Sequence, residues 1–120
     1  MPQTSKDYYA HVIRQAADVI ENNGLHHGWY FTDAPERSPA DCPMCTAGAL
    51  AFVLTGHPEP GCEPEEYPQF EEVIRYVSDR IYSDVVEEDP IERVADWNDT
   101  RTKAEVVATL RQIADAAEED

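Results

Sequence analysis

Four residues of this chain have the types and number of a tetrahedral zinc site: Cys42, Cys45, His57 and Cys62, spaced Cys-x2-Cys-x11-His-x4-Cys. Three thiolates and one imidazole suit zinc, which takes sulfur and nitrogen ligands at four corners. The spacing works against it. The segment from Cys45 toward His57 reads as a helix, which at 1.5 Å per residue separates its ends by about 15 to 18 Å, so the next loop must fold back along it. The plainer alternative makes Cys45 a small buried core residue, Cys42 and Cys62 free thiols, and His57 a surface residue after a helix stop. Cys42-Pro43-Met44-Cys45 also has the form of a redox pair, because the positive end of a helix favours a thiolate. Such pairs belong to a strand-helix-strand setting, and the chain offers none.

Other polar groups invite weaker readings. His26 and His27, near Asp33, have base or ligand chemistry, but histidines in a turn beside Gly28 are more simply exposed or capping groups. Asp96, Asn98 and Asp99 surround Trp97. They suggest a carboxylate cluster, against the simpler expectation that Trp97 fills the core while the short side chains hold a turn and feed the cap of the next helix. There is no nucleophile elbow, phosphate-binding glycine loop, HExxH or EF-hand loop. No catalytic or cofactor-binding residue is therefore assigned. The expectation is a non-enzymatic protein with no cofactor, zinc at the four residues above being the exception to test.

The totals narrow the function further. At 120 residues the chain fits one domain, 1–120, with a single core. Its formal net charge is −16: residues 1–60 carry 7 acidic and 3 basic side chains (−4), residues 61–120 carry 18 and 6 (−12). Such a surface repels polyanions, so direct nucleic-acid binding is disfavoured. The longest apolar run, Ala47 to Leu54, is far short of the roughly 20 residues that span a bilayer. The first residues lack signal-peptide character, and three cysteines without a secretory context favour free thiols or metal over disulfides. A cytoplasmic protein is expected.

The elements that must position these groups follow from apolar spacing. A helix opens at a capping-box match, Thr4 to Asp7, and carries Tyr9, Val12, Ile13, Ala16 and Ile20 on one stripe until Asn22-Asn23-Gly24 stops it. Leu25 to Thr32 is short and aromatic, and predicts at most a short β segment near residues 29–32. Asp41 to Gly56 is the most apolar stretch and predicts the central helix, with Asp41 or Cys42 as cap, Pro43 in the first turn and Gly56 as stop. After a proline-rich, acidic connection, Pro68 opens a helix whose buried stripe is Phe70, Val73, Ile74, Val77 and Ile81. Glu87-Glu88-Asp89-Pro90 reads as a break, with a single helical turn before Trp97. A second capping box, Thr102 to Glu105, opens the last helix on Val106, Val107, Leu110, Ile113, Ala114 and Ala117. The fold class expected is mainly α, a bundle of about four helices.

Several segments together resemble a known family. They are Ala16-Ala17-Asp18-Val19-Ile20, the turn Gly28-Trp29-Tyr30, Cys45-Thr46-Ala47-Gly48-Ala49-Leu50, Trp97-Asn98-Asp99-Thr100-Arg101-Thr102, and Glu105-Val106 with Leu110-Arg111. In this order they resemble a small domain of unknown function found in actinobacteria and their phages, in which a Cys-Ala-x-Gly-Ala-Leu segment precedes a Trp-Asn-Asp…Arg-Thr…Glu-Val signature. The resemblance spans nearly the whole chain. Cys45 matches the family cysteine, whereas Cys42, His57 and Cys62 belong to no part of the pattern. It implies no activity. The functional expectation is thus a small acidic interaction domain of a phage or actinobacterium that acts by contact with another protein. The alternatives are a zinc-stabilised domain, or a DNA mimic whose Glu63, Glu65, Glu66, Glu71, Glu72, Glu87, Glu88 and Asp89 imitate phosphates toward a basic host protein.

Overall fold

The apolar stripes become helices in the computed structural model of the chain, which describes residues 5–26, 42–56, 67–82 and 89–119. Among these residues there are five: α1 (Ser5–Asn23), α2 (Thr46–Thr55), α3 (Tyr67–Tyr82), α4 (Pro90–Asp99) and α5 (Lys103–Glu119). The mainly helical expectation holds, but the count is five rather than about four. None of the helices is long and apolar enough to cross a membrane. The β segment foreseen near 29–32 lies outside the described residues; among those described, pairing is limited to one isolated parallel bridge, Leu25 to Met44.

The additional helix is α4, and its start gives the physical reason for the difference. Asp89 is its N-cap, the carboxylate accepting from the Ile91 amide at 2.9 Å, and Pro90 occupies the first turn. Proline there forfeits no intrahelical bond and brings a helical φ with it, so Asp-Pro starts a helix rather than breaking one. Tyr82 at the end of α3 then fixes the new helix. Its hydroxyl donates to the Arg93 carbonyl at 2.8 Å, and the Arg93 guanidinium lies over its ring at 4.3 Å.

The central helix begins later than expected. Its N-cap is Cys45, not Asp41 or Cys42, and Pro43 stands outside the helix. The reason is competition for backbone. The Met44 amide donates to the Gly24 carbonyl at 3.2 Å and the Met44 carbonyl accepts from the His26 amide at 3.0 Å, so residues 43–44 are held extended against the chain leaving α1. The far end is as expected: Gly56 adopts φ +85°, and its amide donates to Phe52 O at 2.8 Å. Thr46 to Ala51 are buried against α1, α3 and α4, while Phe52, Val53 and Leu54 are half-buried.

The most extensive helix pair joins the two ends of the described chain. α1 carries Val12, Ile13, Ala16, Ala17 and Ile20, and α5 carries Val106, Val107, Leu110, Ile113, Ala114 and Ala117, all buried in the shared core. Burying each larger apolar side chain contributes about 1.5–3 kcal/mol, which makes this seam the main tie between first and last helix. Ion pairs edge it and reveal its antiparallel sense. Arg14 meets Asp115 at 2.5 Å and also Glu118, whereas Arg111 meets Asp18 at 2.9 Å and also Glu21. Such exposed pairs add little stability but fix register. Glu118 is therefore engaged rather than frayed, and α5 runs to Glu119.

Candidate functional site

The start of α2 is where the chemistry-bearing residues meet. Cys45, in an extended conformation, caps the helix through its sulfur, which accepts from the Gly48 amide at 3.3 Å. The next donor, the Thr46 amide, reaches the side-chain oxygen of Asn98 at 2.9 Å, and the Thr46 hydroxyl donates to the same oxygen at 2.7 Å. Asn98 belongs to α4, a helix distant in sequence. Its amide nitrogen donates to the His26 carbonyl at 3.1 Å and to Asp99 Oδ1 at 3.3 Å. One buried side chain, 0 % exposed, thus joins the end of α4, the start of α2 and the strand-like residues after α1. Orphan donors at a helix start require partners, and here the partner comes from another helix.

This arrangement assigns Asn98 a role different from the one expected. It does not feed the cap of α5, which is self-sufficient: Thr102 Oγ1 accepts from the Glu105 amide at 3.2 Å, and Glu105 Oε1 accepts from the Thr102 amide at 3.0 Å. Thr100 closes the α4–α5 turn, its hydroxyl donating to the Trp97 carbonyl at 3.0 Å. Trp97 fills the core as foreseen, at 7 % exposure. Asp96 and Asp99 stand exposed.

The thiols are poorly placed for nucleophilic work. Cys42 and Cys45 are free and are 1 % and 3 % exposed. Burial pushes the Cys45 thiol up to about 11; the nearby Asp99 carboxylate adds to the rise, and the hydrogen bond from Gly48 works against it. A thiol held neutral is a weak nucleophile. The two remaining members of the proposed zinc set, His57 and Cys62, lie outside the described residues, as do His27 and Asp33. Among the described residues no three His, Cys, Asp or Glu side chains come together in a way that could hold a metal. His26 contributes its backbone to the junction through the bonds to Met44 and Asn98.

A second feature escaped the sequence. Between α3, α4 and α5 runs a groove of about 500 Å³, lined among others by Arg80, Ile81, Trp97, Arg101, Glu105 and Ile113. Arg80 and Arg101 come from different segments and no periodicity links them. The only local hint is that Trp97, Arg101 and Glu105 recur at four-residue spacing.

Comparison with known proteins places this framework. No curated protein and no solved structure matches the chain. A family model matches residues 4–116, in agreement with the resemblance to a domain of unknown function, and over that span the chain belongs to DUF6197, a family of unknown function.

Proposed function

We propose that this DUF6197 chain is a small acidic protein-interaction domain without catalytic chemistry, a phage or actinobacterial accessory protein working in the cytoplasm, that of the host if phage-encoded. The observation that carries the proposal is the division of its polar groups. Asn98 and Thr46 are buried and taken up in joining helices and the two described thiols are buried, whereas Glu72, Glu92, Asp96 and Asp99 stand exposed on the outside. A folded body with a predominantly negative exterior attracts a basic partner at long range and speeds their encounter. A DNA-processing protein is one such partner, the case in which the carboxylates stand in for phosphates. The test is affinity capture at low salt from cells that encode the chain, followed by binary binding of the purified partner. Association should slow as salt rises from about 50 to about 300 mM, and about tenfold when Glu72, Glu92 and Asp96 are replaced by their amides. No binary complex, or one indifferent to salt and to these changes, overturns the proposal.

Zinc at Cys42, Cys45, His57 and Cys62 is the second reading, favoured by the burial of two cysteines three positions apart at one helix start. In that case a chelator lowers the melting temperature; an unchanged melting curve ends the idea.

A further inference from the structure

We propose that a row of tyrosines shared by α1 and α3, Tyr8, Tyr9 and Tyr76 with the Glu72 carboxylate beside it, is where an arginine side chain of a basic protein partner seats. This inference rests on the protein-contact reading and names the chemistry of the grip. The rings follow one another across the two helices: Tyr8 to Tyr9 at 6.4 Å and 52°, Tyr9 to Tyr76 at 4.9 Å and 42°. On α3, Gln69, Glu72 and Tyr76 are spaced by three and then four residues, which puts them on one helix face. That face is the one turned to the α1 tyrosines, since Gln69 Oε1 accepts from the Tyr8 hydroxyl at 3.4 Å. All three rings are half-buried, packed on the core with part of each left to water, and Glu72 is exposed.

The chemistry of this surface selects its occupant. The face of a phenol ring is negative and so is a carboxylate, so the two together attract a cation. The carboxylate acts on the row: burial first, then Glu72 and Tyr76, push the Tyr9 phenol above its ordinary 10.0, which keeps it neutral. A guanidinium serves both groups at once, its flat face stacking on a ring while its edge donates to the carboxylate, whereas an ammonium is a compact point charge without that flat face. The molecule makes the same contact twice within itself, with Arg80 over Tyr76 at 4.9 Å and Arg93 over Tyr82 at 4.3 Å. Arg80 is thus already engaged, at the far end of the row. It stands 80 − 69 = 11 positions beyond Gln69, about 16 Å along α3 at 1.5 Å per residue, so the incoming arginine meets the Tyr8–Tyr9 end beside Glu72. A net charge of −16 draws a basic segment toward the surface and turns an acidic one away.

The experiment is an NMR titration of the full chain, in about 150 mM salt, with a tetra-arginine peptide and in parallel with a tetra-lysine peptide of equal charge. Saturable shifts are expected at residues 8, 9, 69, 72 and 76, together with upfield movement of the arginine Hδ protons, the mark of a cation held over a ring. The arginine peptide should bind about two- to fivefold more tightly than the lysine peptide. Tyr8→Leu with Tyr9→Leu, which leaves every charge in place, should bring the arginine peptide down to the affinity of the lysine peptide. Tyr8→Phe with Tyr9→Phe keeps the rings and should keep the preference. Equal binding of the two peptides, shifts spread over the outer carboxylates, or absence of saturation overturns the site. Failure of the protein-contact reading shows differently, as no captured partner, since salt-sensitive capture by the acidic exterior needs no ring. The comparison of peptides on the unaltered chain decides the matter even where the leucine variant melts early.

Discussion

Replacing Asn98 with alanine should destabilise the protein more than any other polar substitution among the described residues. The side chain is completely buried and serves three partners on other segments: the Thr46 amide at 2.9 Å, the Thr46 hydroxyl at 2.7 Å and the His26 carbonyl at 3.1 Å. A buried hydrogen bond contributes about 1 kcal/mol net, and a partner left dry and unmatched costs about 1–3 kcal/mol. Three such partners give a loss of about 3–5 kcal/mol once water finds some of them. A chain of this length has roughly 6–18 kcal/mol in all at 0.05–0.15 kcal/mol per residue, so the variant should fold marginally. At about 4 °C per kcal/mol, the melting temperature should fall by about 12–20 °C. Thermal and urea unfolding followed by circular dichroism measure this, with the exposed Asp96→Ala as control, expected within about 2 °C of wild type. A double-mutant cycle with Thr46→Val should show coupling of at least about 1 kcal/mol. If Asn98→Ala costs less than about 1 kcal/mol while the control behaves, the junction does not hold α2 to α4 and the assignment of Asn98 is wrong.

Four further outcomes follow from other parts of the structure. The folded state holds the Cys45 proton up to about 11, above the ordinary 9.0, so the unfolded chain ionises first and stability should fall as pH rises from 9 toward 11. Cys45→Ser should flatten that part of the urea-midpoint profile. Gly56→Ala forces an alanine to φ +85° with nothing within 4 Å of the new methyl, so its cost of about 1 kcal/mol in urea unfolding is backbone strain alone. Thr102→Ala opens the α5 capping box and should cost about 1 kcal/mol by the same measurement. Native protein at pH 8 should leave Cys42 and Cys45 unlabelled by iodoacetamide, with both modified after unfolding, as read by peptide mass spectrometry.

The sequence discloses what is local and hides what is not. Thr102 and Glu105 are three residues apart, so their reciprocal bonds were visible as a pattern, as were Gly24 and Gly56, whose φ values are +110° and +85°. The α5 stripe was legible in full because 3.6-residue spacing needs no knowledge of the partner. Asn98 was not, since its partners lie 52 and 72 positions away and only packing brings them near. The start of α2 failed for a related reason: Pro43 is a good first-turn residue by itself, but Gly24 and His26 compete for the backbone beside it. Asp89-Pro90 was misjudged within reach of local rules, proline being read as a breaker where a preceding aspartate makes it an opener. The groove was beyond reach, because the residues that line it, from Arg80 to Ile113, share one surface only through the α3–α4–α5 arrangement.

The antiparallel seam between α1 and α5 has a consequence for how the molecule is made. The ribosome releases residues 5–23 well before residues 103–119, yet each is the other's principal cover. A nascent chain still lacking α5 must carry part of the apolar face of α1 wet, or sheltered by a chaperone. The α1–α5 seam therefore closes only after residues 103–119 have been made, and a product cut off before Lys103 lacks that seam.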